Sequence, residues 1–236
     1  MNREFKRHFA VGCLLAAVWT AGRPLNGETL EEAPRFTVWL YNYAEVDSLQ
    51  LRKGIRAASE VFHGAGIQLV WVECSVARLD VRKNGACGQF DGTPWAQLMV
   101  LPREMAQRLE LGDGAFGVAV GRLADVFFHR VQELSGQMGI PESLVLGHIM
   151  AHELGHVLLG PGGHAPEGVM KTDLNRADFR LVIHGRLGFS SAQAARMRAR
   201  LRQPAVAISS APPGGSVSAP AGADCSDAAP APSPPR

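Results

Sequence analysis

The chain carries almost no net charge: 24 Lys and Arg against 22 Asp and Glu, or +2 over 236 residues. That balance argues against nucleic acid or an anionic membrane as a partner. No basic cluster is interleaved with aromatics, as a nucleic-acid groove requires. No apolar run reaches the roughly 20 residues that cross a bilayer, so no stable membrane span is expected. There is no internal repeat. Large apolar residues almost vanish after Gln203, which excludes a packed core in that stretch. Cysteines are few, four in all. What remains is ordinary: 46% hydrophobic residues and a length that suits one domain with a proper core.

The two ends read as processing and spacer segments. Arg3, Lys6 and Arg7 precede a short apolar run, Phe9 to Trp19, and small residues Ala21 and Gly22 follow. That order is a secretory signal peptide over residues 1–27, with cleavage near 22–27. The folded domain is then expected over 28–202. The Pro-, Ala- and Ser-rich residues 203–236 form a disordered tail. The protein is therefore expected to be exported, periplasmic or secreted. Cys74 and Cys87 bracket a polar segment between two strand-like runs, and export to an oxidising compartment makes a disulfide the first expectation. Cys225 in the tail has no evident partner.

Between the ends, FTVWLYNYAEV from Phe36 reads as a strand. Asp47 or Ser48 caps a helix through about Phe62, with Leu51, Ile55, Ala58 and Phe62 at helical spacing. Further strands are expected at Ile67–Val72, Gln97–Leu101, Phe116–Val120 and Val126–Val131, the last two as a hairpin around Gly121. Pro141 opens a helix that runs to Leu159 and stops at Gly160 and Pro161. Asp173 is expected to cap a helix to about His184, and Ser190 or Ser191 another. Arg196, Arg198, Arg200 and Arg202 read as a solvated helix end. Strands come first with one helix among them, then helices. That is an α+β order, with a mostly antiparallel or mixed sheet.

The chemistry concentrates in AHELGHVLLGPGGHAPEGVM, residues 151–170. The helix around it is apolar nearly all round, so it is buried. Yet it carries His148, His152, Glu153 and His156. Buried ionisable groups need partners, and one metal ion would satisfy several together. His152 and His156 are four apart, so both imidazoles leave one face of the helix. Glu153 stands beside that pair, where a general base belongs. This is the HExxH pattern of a zinc site. His164 follows a glycine-rich turn and supplies a third ligand type. Asp178, Asp173 and His184 are its rivals. A hydrogen-bonded, metal-free polar cluster is the competing reading of the helix, and His148 reads as a core histidine.

These residues resemble a family. The HExxH helix, the glycine turn, the later histidine and Gly168-Val169-Met170 are similar to the metzincin zinc endopeptidases and to exported bacterial zincins. The resemblance implies a zincin-like α+β fold: a mixed twisted sheet packed on a long helix and an active-site helix, followed by C-terminal helices. It implies one catalytic Zn2+ held by His152, His156 and His164, with Glu153 as the catalytic base and Met170 as the methionine of the supporting turn. A peptide or protein substrate would be hydrolysed by zinc-activated water, lying as an added strand on Phe116–Val120 or Val126–Val131. The chain departs from the family spacing: its linker to the third histidine is two residues longer. No glutamate follows Glu167, so a downstream glutamate cannot be a ligand. A zinc-binding but inactive interaction module is the alternative on the residues alone.

Overall fold

The computed structural model describes residues 32–76, 87–89, 91–109, 115–160 and 162–203. The expected signal peptide and tail, with Cys13 and Cys225, lie outside the described residues. The strands are β1 Arg35–Asn42, β2 Gln68–Cys74, β3 Trp95–Leu101, β4 Gly117–Val120 and β5 Leu123–Phe127. The helices are α1 Ser48–Gly64, α2 Arg103–Ala106, α3 Phe128–Met138, α4 Glu142–Leu159, α5 Arg176–Ile183 and α6 Ser191–Leu201. None of these helices is long and apolar enough to cross a membrane.

The strands form one mixed sheet in the order β2-β1-β3-β5-β4. β1 pairs parallel with β2 and β3, and β3 pairs parallel with β5. Only β4 and β5 are antiparallel. Parallel neighbours need a crossover connection, and α1 supplies it between β1 and β2. The antiparallel character is confined to the hairpin, which turns at Gly121 with φ 62°. β4 is thus one end of the sheet.

Phe36, Val38 and Leu40 of β1 share a core with Leu98 and Val100 of β3, Val126 of β5, and the apolar faces of α1 and α4. Asp47 caps α1: its Oδ1 accepts from the amides of Leu49 and Gln50 at 2.9 and 3.2 Å. α4 is buried on almost every side. Leu146, Met150 and Leu154 are fully enclosed, each worth about 1.5–3 kcal/mol relative to exposure. α1 and α4 meet backbone to backbone. A Cβ at Gly147 would stand 2.5 Å from the Gly54 carbonyl oxygen and 2.6 Å from the Ala57 Cβ.

Three expectations need correction. Val126–Val131 is not a strand: β5 ends at Phe127 and α3 begins at Phe128. Val131 and Leu134 are buried at helical spacing, so the aromatic run conceals a strand-to-helix junction. Asn175, not Asp173, caps α5, accepting from the amides of Ala177 and Asp178. The arginines of α6 are not a merely solvated end. Arg196 and Arg200 donate to the carbonyls of Leu159 and Leu158 at 3.4 and 3.2 Å, and Arg198 donates to Ala65 at 2.6 Å. They satisfy carbonyls left over where α4 and α1 end. Cys74 and Cys87 are joined in a disulfide at the end of β2.

Candidate metal centre

The last two turns of α4 and the segment after it bring three imidazoles together. His156 Nε2 lies 3.1 Å from His152 Nε2 and 3.0 Å from His164 Nε2. Among the described residues these three histidines are the group able to hold a metal ion, their ligand atoms all lying within 4.8 Å of one another. His152 Nδ1 donates to the Val169 carbonyl at 2.8 Å. A carbonyl only accepts, so the proton sits on Nδ1 and Nε2 presents a lone pair. At that point His156 Nε2 can donate to one neighbour only. A third nitrogen is left facing a lone pair, and a cation between them resolves the conflict.

The donor set fits zinc. Three neutral imidazole nitrogens with one open position is a catalytic zinc arrangement, with Zn–N of about 2.0–2.1 Å. Tetrahedral bonds of that length place nitrogens about 3.3 Å apart, close to the contacts observed. Two of the imidazoles, His152 and His156, are biased towards the neutral form. Burial lowers His152, against the pull of its bond to Val169. Burial and the neighbouring His152 and His164 bring His156 down to about 4.

Local structure sets each ligand. Gly160 and Gly162 adopt φ 77° and 74°, a backbone that turns the chain back so that His164 meets α4. Gln193 of α6 holds that turn. Its Nε2 donates to the Gly163 carbonyl at 3.2 Å, while its Oε1 caps its own helix by accepting from the Ser190 amide. Met170 is fully buried. It sits beneath α4 at Gly155, where a Cβ would approach its Sδ to 2.5 Å. The Ala165 amide donates to the Met170 carbonyl and the Val169 amide to Gly188, closing the turn that carries the Val169 acceptor.

Glu153 points from α4 to β4. It is 4% exposed, and Gly117 makes room for it: a Cβ there would lie 2.7 Å from Glu153 Oε1. Burial, with the negative charge of Asp125 adding to it, pushes the Glu153 carboxyl up to about 8. Glu153, the three histidines, Gly117 and Lys171 line one cavity of about 350 Å³.

The rival ligands lie elsewhere. Asp178 accepts from Lys171 Nζ at 2.7 Å and from the Asn175 amide at 2.8 Å. Burial opposes its charge, but those two donors hold its carboxyl below the usual range. Asp173 and His184 do not join the cluster. His148 is buried, its Nδ1 donating to the Leu144 carbonyl. Sequence reasoning missed Gln193, Gly117 and Gly155. Only Gln193 left a signal, as the partner of Ser190 in a capping box.

No family model matches the chain, and no curated protein is significantly similar. Among solved structures, a zinc-dependent peptidase from Methanocorpusculum labreanum is 19% identical, with TM-score 0.46 over 68% of this chain and 99% of that one. An archaemetzincin from Methanopyrus kandleri is 18% identical, with TM-score 0.43 over 72% of this chain and 97% of that one.

Proposed function

We propose that this chain is an exported zinc-dependent endopeptidase of metzincin type. One observation carries the reading: three imidazole nitrogens converge at 3.0–3.1 Å beside a buried, cavity-facing carboxylate. His152, His156 and His164 would hold the ion. When bound, zinc supplies Lewis acidity that polarises a carbonyl and acidifies water.

The protein's own groups do the rest. Glu153 takes a proton from the attacking water as its oxygen bonds to the scissile carbon. It returns that proton to the amine nitrogen as the C–N bond breaks. Burial holds the Glu153 carboxyl up to about 8 in the metal-free protein, and a bound cation beside it would favour the carboxylate that the base role requires. Val169 keeps the His152 proton on Nδ1 and orients the ring, the task of an outer-shell partner. β4 ends the sheet and borders the cavity, so an extended peptide adds there as a further strand. The residues after Phe127 are helical and offer no such edge. Export is supported by the order of charged, apolar and small residues at the N-terminus.

Metal analysis of gently purified protein should find one zinc per chain. Glu153→Ala should keep that zinc and lose hydrolysis of a peptide library by about 10²–10⁴-fold. Zinc far below one per chain, or a Glu153→Ala variant as active as the parent, overturns the reading.

A further inference from the structure

Lys171 follows directly on the buried Met170 and lines the same cavity as Glu153 and the histidines. Among the described lining residues it is the lone Lys or Arg. The cavity it lines is otherwise walled largely by apolar residues, Phe116, Ile149 and Leu174 among them. An ammonium in such a wall is costly unless partnered. Its partner is Asp178, with Nζ to Oδ2 at 2.7 Å and side chains 22% and 14% exposed. The pair does not cancel. Asp178 stands in the first turn of α5 and also accepts from the Asn175 amide, so part of its charge is met by the helix N-terminus. An ammonium has three donors, and Asp178 occupies one. The arrangement tethers a cation at the cavity wall with donors to spare.

Building on the peptidase reading, we propose that Lys171 is a specificity-determining residue that receives a carboxylate of the substrate. Asp178 holds the ammonium in place. The largely apolar lining of the cavity weakens the competition of water for that contact. The carboxylate belongs either to an acidic side chain near the scissile bond or to the peptide's own C-terminus, the latter making the enzyme a carboxypeptidase in place of an endopeptidase.

Binding distinguishes these without requiring turnover. Zinc-loaded protein is titrated with short peptides headed by a hydroxamate, which occupies the metal. One carries Gln and an amidated C-terminus, one Glu and an amidated C-terminus, and one Gln and a free C-terminus. A carboxylate probe should bind about tenfold tighter than the neutral one, as a charge-assisted bond provides. Preference for the second probe identifies the side chain, and for the third the terminus. Lys171→Gln should bring all three to parity, and Lys171→Arg should retain part of the preference. Asp178→Asn should keep it, because the amide oxygen still accepts from the ammonium and holds it in place. Equal binding of the three probes overturns the proposal, as does a preference that survives in Lys171→Gln. If Asp178→Asn loses the preference as fully as Lys171→Gln, the pair is only a clip between the turn and α5, and the proposal fails. Absent zinc uptake overturns this proposal and the peptidase reading together. Intact discrimination without any cleavage overturns the peptidase reading alone.

Discussion

Replacing Gly155 by alanine tests how the turn beneath the metal centre is held. In an unobstructed helix interior this change stabilises by about 1 kcal/mol. Here the added Cβ would stand 2.5 Å from Met170 Sδ and 2.8 Å from Phe189 Cε1. Comfortable contacts are roughly 3.5–4 Å, so the neighbours must give by about 1 Å. Met170 is fully buried and Phe189 partly, and Phe189 packs edge-on against Phe62 at 5.0 Å between centroids. Overpacking of this kind costs about 1–3 kcal/mol, which offsets the helix gain and leaves the metal-free protein about 0–2 kcal/mol less stable. The larger effect falls on the metal. Met170 adjoins Val169, whose carbonyl fixes His152, and loss of such a partner weakens metal binding about 10–100-fold. Urea unfolding of metal-free protein and zinc titration against a chromophoric chelator measure the two. Gly147→Ala is the control. It collides with α1, so it should cost stability and leave the zinc affinity of folded protein unchanged. A Gly155→Ala variant that gains about 1 kcal/mol and binds zinc normally refutes the packing argument.

Other outcomes follow from the same geometry. His164→Ala should weaken zinc binding as much as His156→Ala, while Asp178→Ala should hold zinc like the parent. Chelator competition across the three separates His164 from its rival. Gly117→Ala places a methyl against the Asp125 carbonyl of β5 and the Glu153 carboxylate, so β4–β5 pairing should weaken and peptide hydrolysis fall about 10²-fold with zinc content unaltered. Metal-free protein should show an acid limb and an alkaline limb of stability loss. Below about 6.5 the unfolded chain protonates imidazoles that burial keeps neutral in His148, His152 and His156, so stability drops as pH falls. Glu153 has the opposite sign: its carboxyl rises from 4.5 to about 8 on folding, so stability drops as pH climbs towards 8. Glu153→Gln should remove the alkaline limb and spare the acid limb, read from urea midpoints between pH 4 and 9.

The helix that carries His152, Glu153 and His156 was legible because two periodicities coincide in it. An apolar surface on every side requires burial, and histidines four apart require a shared face. His164 was legible only as a residue type. Its arrival beside His156 depends on the backbone angles at Gly160 and Gly162, which spacing alone does not state. The junction at Phe127 and Phe128 was misread because aromatic and β-branched residues suit a strand as well as a buried helix face. Arg196, Arg198 and Arg200 were misread for a different reason. Charge and position on α6 suggest a dipole partner, but the helix ends they serve belong to α4 and α1. That choice of partner is tertiary. Lys171 is similar: its meaning lies in a pairing seven residues away and in a cavity that no local pattern describes.

The glycines connect these cases. Read along the chain, they mark turns and helix ends. In the folded protein three of them are spacers around one centre. Gly117 admits the Glu153 carboxylate, Gly155 admits Met170, and a Cβ at Gly163 would stand 3.2 Å from His156 Nδ1. Each removes a side chain where backbone must approach a functional group closely. A site assembled this way has little slack, because backbone shifts only when whole elements move. Interiors are close-packed and respond to a single methyl. The geometry around His152, Glu153 and His156 is therefore held by β4, the Met170 turn and the segment before His164 together. Substituting any one of these glycines should alter the function of the side chain it faces before it unfolds the domain.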